Sequence, residues 1–312
     1  MPHLVARFAA LPGSTPGQPV HCLAIAAARI DDHAIAVTAE SSGTVRLWDL
    51  SSGHERQVFA QSSGRILDVA IMETGPIRPV VLAAGLGGVH FWDPATGDEV
   101  EVRQGSCGTS FSAAHVLRPR PGRPDGLLLA DVVGGLECWA GARLLRWRLP
   151  LAPNNEPIFT VTSFEADRRI RVATHVEGLL VIVDAVWGRV LEEHRIGQQA
   201  TSYGMSVLYG DRAPYLVVAL GEDIVVWDIA RRREQYRWRV GSAELKRVAV
   251  MESNGGPRIV TLSEDGLVSV FEPRGDLVTA YDLPGPASAL TAVAHHVVAV
   301  GYEGGWGLLK LV

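Results

Sequence analysis

Apolar residues along this chain come in short runs that alternate with polar ones, and Gly, Pro and Asp punctuate them every few residues. Alternation of period two bounded by turn residues predicts strands rather than helices. One stretch carries the pattern most cleanly: Gly43-Thr44-Val45-Arg46-Leu47-Trp48-Asp49-Leu50 is a small turn, an alternating strand, then an aromatic followed by an acid. Related runs end at Trp92-Asp93, Trp139, Val183-Asp184, Trp227-Asp228, Phe271-Glu272 and Leu309-Lys310. Successive spacings are 44, 47, 44, 44, 44 and 38 residues.

A repeat of roughly 40–45 residues is the period expected of four-stranded propeller blades. In the first unit the strands fall near 20–28, 34–39, 44–49 and 55–60, and in the second near 66–72, 79–84, 89–92 and 99–103. The third has 111–117, 126–131, 136–139 and 143–149. Units four to six carry their signature strands at 179–184, 224–228 and 267–271, and the seventh has 287–294, 297–300 and 306–312. The longer third interval holds Arg118-Pro119-Arg120-Pro121-Gly122-Arg123-Pro124. Its prolines lack the N–H that a ladder requires, so it reads as a rigid hairpin insertion.

With Trp48-Asp49, Trp92-Asp93 and Trp227-Asp228 supplying the name dipeptide, the chain resembles the WD-repeat β-propeller family over nearly its whole length. The resemblance implies an all-β fold, a single seven-bladed β-propeller over residues 1–312. It also implies that the turns between second and third strands open onto one face, near the mouth of the central channel. One feature departs from the family. The usual Gly-His pair before the first strand, which completes a hydrogen-bonded network with Ser/Thr, Asp and Trp, is missing from every unit.

Residues 3–10 form a strand with no blade before it, while the seventh unit ends without its outer strand. Pairing the two covers two open sheet edges at once, so the N-terminal strand is expected to complete the last blade. Trp48, Trp92, Trp139, Trp227 and Phe271 are expected to pack between adjacent blades, each burying on the order of 150–250 Å². Asp49, Asp93, Asp184, Asp228 and Glu272 are expected to cap the turn into the outer strand with short side-chain-to-backbone bonds.

Composition narrows the function classes. At 47% hydrophobic residues the chain can fill a continuous core, and its net charge of −5 has the wrong sign for a general nucleic-acid binder. Lysine occurs only at Lys246 and Lys310, which reads as a compositional bias toward arginine. Cys22, Cys107 and Cys138 are isolated, signalling neither a zinc site nor a disulfide framework. Their odd number favours a reducing compartment. The apolar stretch 4–11 is broken by Arg7 and too short for a secretory signal. No apolar run approaches the ~20 residues of a membrane span. A soluble, cytoplasmic protein is the expectation.

The search for reaction chemistry returns little. There is no phosphate-binding G-x-x-x-x-G-K-[ST] loop, and Gly85-Leu86-Gly87-Gly88 sits in a strand–strand turn. His175, His194 and the pair His295-His296 have no third ligand at metal-binding spacing. Gly105-Ser106-Cys107-Gly108 lacks the strand–turn–helix context of a nucleophile loop. Arg231-Arg232-Arg233, with Arg237 and Trp238 beyond, resembles a single-strand-binding combination, but beside Glu234 in an acidic chain it reads as a solvated turn. Neither a metal nor a cofactor is expected.

Acidic turns are the least bland feature. The implied register places Glu40, Glu177, Glu222, Asp223, Glu264, Asp265 and Glu303 on the channel-mouth face, with Asp131 close by. Inter-blade loops add Glu156 and Glu244, against Arg65, Arg103 and Lys246. Arg-rich turns at 118–123, 168–169 and 231–233 fall on the opposite face. Asp and Glu are also ordinary turn formers. As a functional surface, the rim would suit a basic peptide or cationic protein, charge raising on-rate and specificity.

The leading expectation is therefore a non-catalytic scaffold gripping partner proteins on its acidic face. The alternative is a small-molecule-binding or catalytic propeller using Glu40, Asp131 and His175 at the channel mouth, which would need carboxylates of separated pKa. Nucleic-acid binding through the Arg-rich face ranks last, on overall charge.

Overall fold

The computed structural model describes residues 4–12, 19–30, 33–59, 65–73, 79–103, 110–117, 126–140, 144–152, 154–197, 202–210 and 213–312. The segment Arg118–Pro124, the loop Gly105–Gly108 with Cys107, His3 and Arg143 lie outside the described residues.

The chain opens with β1 (Leu4–Ala10). Blade 1 follows as β2 (Cys22–Ile30), β3 (His33–Glu40), β4 (Val45–Asp49) and β5 (Glu55–Phe59). Blade 2 is β6 (Ile66–Glu73), β7 (Pro79–Gly85), β8 (Gly88–Trp92) and β9 (Glu99–Arg103). Blade 3 is β10 (Phe111–Leu117), β11 (Gly126–Asp131), β12 (Gly135–Ala140) and β13 (Leu144–Pro150). Blade 4 is β14 (Val161–Ala166), β15 (Arg169–Val176), β16 (Leu179–Asp184) and β17 (Val190–Arg195). Blade 5 is β18 (Gly204–Tyr209), β19 (Pro214–Leu220), β20 (Asp223–Asp228) and β21 (Arg233–Arg239). Blade 6 is β22 (Leu245–Met251), β23 (Arg258–Ser263), β24 (Leu267–Phe271) and β25 (Leu277–Asp282). Blade 7 comprises β26 (Ala287–Ala294), β27 (Val297–Tyr302) and β28 (Gly305–Leu311), with β1 as its outer strand.

Each blade is an antiparallel four-stranded sheet, and the first strands touch in sequence around the ring until β26 meets β2. The fold is thus an all-β, seven-bladed propeller. Seven apolar clusters fill the seven gaps between blades, one per gap. A strand whose two faces both pack on neighbours needs apolar residues at every position. In β11, Leu127 and Leu129 face blade 2 while Leu128 and Ala130 face blade 4. The same split runs through β19, where Leu216 and Val218 face blade 4 and Val217 and Ala219 face blade 6. Second strands consequently read as unbroken apolar runs, whereas β5, β17, β21 and β25 alternate with water.

Trp48, Trp92, Trp139, Trp227 and Phe271 are buried, each against the preceding blade. A β-bulge falls immediately before the signature position in blades 1 to 6, locally increasing the twist that turns the outer strand away. Outer-strand aromatics of the preceding blade meet these rings: Phe59 lies 5.4 Å from Trp92, and Trp238 lies 5.7 Å from Phe271. Trp48 donates to Thr38 Oγ1 at 2.8 Å, and Trp139 donates to Glu137 at 3.0 Å. The indole N–H groups of Trp92 and Trp227 have no partner among the described residues; these rings lie against His90 and His194.

Closure is by hydrogen bonding between the chain's two ends. β1 pairs antiparallel with β28, from Leu4↔Leu311 to Ala10↔Gly305, and Leu11 N donates to Gly304 O at 3.1 Å. Packing across this seam is close enough that a Cβ on Gly307 would lie 2.4 Å from Phe8 Cδ1. Deleting residues 1–11 should strip a whole ladder from β28 and expose the blade 7 face. We expect a melting temperature lower by roughly 10 °C or more, on the scale of several kcal/mol at about 2 °C per kcal/mol; calorimetry that finds the two chains melting together would exclude this sealing role.

Candidate protein-interaction face

The turns between second and third strands, together with the connections between blades, form one face. Within each turn the backbone fixes where a carboxylate goes. Glu177 adopts φ 52° ahead of Gly178 and accepts hydrogen bonds from the backbone N–H and the amide of Asn154, at 3.3 and 3.2 Å. Asp265 accepts from Ser263 Oγ and from Leu267 N. Glu264, Asp265 and Glu156 are exposed, while Glu177, Glu222, Asp223, Glu244 and Glu303 are partly so.

Glu40 and Asp131 do not belong to this surface, contrary to the sequence reading. Glu40 is buried and held by Arg46 Nε and Ser42 Oγ. Asp131 is buried and accepts the N–H groups of Val133 and Gly135, with Arg148 at 3.1 Å. Burying a carboxylate is tolerable only when charge and hydrogen bonds replace water. Both acids end a second strand, where a side chain turned inward finds those partners.

Bases are also more numerous near the rim than Arg65, Arg103 and Lys246. Arg239 lies 3.3 Å from Glu222 and 3.7 Å from Asp223, and Arg237 lies 3.3 Å from Asp223. Lys246 bridges Glu244 at 2.7 Å and Glu264 at 3.5 Å, and His21 lies 3.9 Å from Glu303. Arg46, Arg148, Arg237 and Arg239 reach this face from third and fourth strands, across hairpins, so no count of loop residues could have found them. The acidic character concentrates on an arc from blade 4 to blade 7: Glu177, Glu222, Asp223, Glu264, Asp265 and Glu303.

Asp49, Asp93, Asp184 and Asp228 each accept backbone N–H groups of the turn that follows, from Ser51 and Ser52, Ala95, Val186 and Trp187, and Arg231 respectively. Glu272 instead pairs with Arg258 at 3.5 Å.

The structure does not bring Glu40, Asp131 and His175 together. The carboxylates are bonded within blades 1 and 3, and His175 in blade 4 is buried with Nε2 unpartnered among the described residues. No cluster of three metal-ligating side chains occurs among the described residues. A cleft of about 400 Å³ opens on the other face, lined by Arg7, Phe8, Leu50, Ser51 and Trp306.

Two channel residues were invisible to the sequence reading. Asp68 on β6 and Arg247 on β22 sit at the position just after the innermost-strand bulge of blades 2 and 6. Burial pushes the Asp68 carboxyl up, partly offset by Arg247 and by the N–H groups of Ala114 and Val69; burial lowers the Arg247 guanidinium, partly offset by Asp68. Ala114 N, on the inner edge of blade 3, donates to Asp68 at 2.8 Å. Ser206 serves Val250 N in the same way, and Ser288 donates to Cys22 O. Polar side chains thus stitch the free inner edge to its neighbour at the junctions of blades 2 and 3, 5 and 6, and 7 and 1.

No family model matches the chain, and no curated protein matches it in sequence. Among solved structures it is similar to BBS1N in complex with ARL6DN. One crystal structure, soaked with lead, has a TM-score of 0.74 at 12% identity, over 96% of this chain and 94% of that one. A second, soaked with mercury, has a TM-score of 0.74 at 12% identity, over 94% and 92%. At this identity the likeness carries the fold, a seven-bladed propeller; the WD-repeat resemblance stands on the signature residues alone.

Two stability experiments follow. Burial lowers the His175 pKa to about 4, below its unfolded value near 6.5. The unfolded chain then binds more protons between these values, so stability is fully present above pH 6.5 and falls toward pH 4, by up to about 3 kcal/mol. Denaturant titrations should show that slope flattened in His175→Leu. Asp68→Ala should cost about 1–3 kcal/mol, because the N–H groups of Ala114 and Val69 lose their acceptor; a loss under 0.5 kcal/mol would remove the stitching role.

Proposed function

We propose that this chain is a WD-repeat-type propeller acting as a non-catalytic, cytoplasmic scaffold. It binds a basic peptide or cationic protein surface on the arc formed by Glu177, Glu222, Asp223, Glu264, Asp265 and Glu303. The observation that carries this reading is the arc itself: carboxylates raised on short turns of a closed ring, on the face where inter-blade loops gather. Prepaid backbone order at Glu177 and Asp265 lets a partner meet charge without ordering loops first. The BBS1N propeller, similar in fold, was crystallised with a protein partner, ARL6DN, which supports a protein client for this architecture. Buried, unpaired thiols at Cys22 and Cys138 fit a reducing compartment.

A small polar ligand in the channel is the second reading, favoured by the opposite charges of Asp68 and Arg247 on innermost strands. The first reading is tested by Glu177→Lys, Glu222→Lys and Glu264→Lys together. We expect pull-downs to lose the partners retained by the unmodified chain, and the association rate of a recovered partner to fall tenfold or more at low salt. A triple variant that retains every partner rules the arc out.

A further inference from the structure

The opposite face carries a feature that the fold does not require. In blades 1, 2 and 4 the turn from third to fourth strand is the same six-residue loop. Its first residue is an Asp whose N–H donates to the sixth residue's carbonyl, and the fifth is a left-handed Gly: Asp49–His54, Asp93–Asp98 and Asp184–Arg189. Blade 5 builds it from Asp228 to Arg233 with Arg232 at φ 53°. The third and fourth positions point outward. They are Ser51-Ser52, Ala95-Thr96 and Ala230-Arg231, but in blade 4 they are Val186-Trp187. Since equivalent backbone accepts serine and threonine there, packing does not explain a tryptophan that is 74% exposed beside a valine 57% exposed.

The turn beneath that tryptophan is held from three sides. Asp184 accepts Val186 N and Trp187 N at 2.9 and 3.0 Å, Ala185 N donates to Ile170 O at 3.3 Å, and Trp147 Nε1 of blade 3 donates to Ala185 O at 3.0 Å. Gly188 is seated so closely on Trp147 that a Cβ would lie 2.4 Å from the ring. Leu144, 64% exposed, begins β13 three residues before Trp147, about 10 Å along the strand. Val186, next to Trp187, and Val190, three residues on, are also exposed, at 57% and 37%.

Arg146, Arg168, Arg169 and Arg189 border this patch, all exposed and none in an ion pair among the described residues. Arg169 adjoins Ile170, which bonds Ala185, and Arg189 closes the turn itself. Asp167 is the one exposed acid of these two turns, with Glu165, also exposed, opposite Ile170 on β14; Asp184 is buried against Arg171 at 3.7 Å.

We infer that Trp187, with Val186 and Leu144, is the anchor of a second docking surface. Its occupant is an acidic segment of a partner protein that carries apolar side chains. An exposed indole on a turn whose backbone is held, with exposed aliphatic side chains on the same turn and on β13, has the composition of an interface hot spot. Four guanidinium groups in no ion pair among the described residues select carboxylates beside it. A single-stranded nucleic acid would call for successive stacking rings along a track, whereas this patch offers one indole among aliphatic groups. This surface is independent of the acidic arc and stands or falls without it.

The test presents the purified full chain to a displayed library of random peptides, with Trp187→Ser and Arg168→Glu/Arg169→Glu chains as parallel baits. Trp187 is mostly exposed, so both variants should melt with the unmodified chain; if they do not, Trp187→Tyr and Arg169→Gln take their places. We expect enrichment of Asp/Glu-rich peptides bearing Leu, Phe or Trp. Synthetic versions should bind about thirtyfold more weakly to Trp187→Ser, and more weakly at high salt. The proposal is overturned if nothing enriches, if enriched peptides are basic, or if they bind Trp187→Ser undiminished. It is equally overturned if oligo-dT or phosphatidylserine vesicles bind with the same Trp187 dependence while peptides do not.

Discussion

A sheet that is apolar on both faces and open on both edges cannot stand alone in water, and every blade of this protein is such a sheet. The constraint that follows is closure. Seven gaps need seven neighbours, and the gap between blades 7 and 1 can be filled only if the last blade is complete. β1 supplies that completion, burying Leu11 near Trp48 and Trp306. Once the ring is closed, outer edges face solvent with polar alternation, and inner edges at three junctions are served by Asp68, Ser206 and Ser288. Edge protection, usually a matter of charges at a sheet's rim, is handled here on the channel side by side chains reaching one blade across.

The repeat and the signature aromatics made the fold legible, because they report local periodicity and a bulky ring at a fixed place. The unbroken apolar second strands, such as Leu127–Ala130, were legible too, as strands buried on both sides. The site was less so. Glu40 and Glu264 occupy comparable turns and look alike in sequence, yet one is sealed against Arg46 and the other is exposed. The difference is one place along the hairpin: Glu40 is the last residue of its strand, where blade 6 has Ser263, and Glu264 corresponds to Ser41. Where a strand ends is a pairing property that loop composition does not contain. Asp68 and Arg247 escaped notice for a related reason. They lie far apart in the chain, and only the circular arrangement of the innermost strands turns both toward one channel.

Missing family features also find a physical account. Without a Gly-His pair, the indole of Trp48 still has Thr38, and that of Trp139 has Glu137, which in turn is charge-balanced by Arg148 at 3.5 Å. Trp92 and Trp227 rely on ring contacts with His90 and His194. The anchoring role of the tryptophan thus survives because most of its contribution is buried area, on the order of 150–250 Å² per ring, with the N–H partner a smaller and replaceable term.

Repetition supplies a control that a non-repeating fold lacks. When four turns share one backbone, whatever they hold in common is what the backbone needs: an acid to accept the first N–H groups and a left-handed residue in the fifth place. What differs is free to answer to something else. By that logic the small or polar residues at positions 51–52 and 95–96 mark the ground state of the turn, and Val186-Trp187 is a departure that costs solvation without adding internal contacts. The two faces differ in the same sense. Carboxylates of the channel-mouth face are partly answered by Arg237, Arg239 and Lys246, so their charge is already half committed to holding loops. Arg146, Arg168, Arg169 and Arg189 are in no ion pair among the described residues, which leaves more of their charge to whatever approaches.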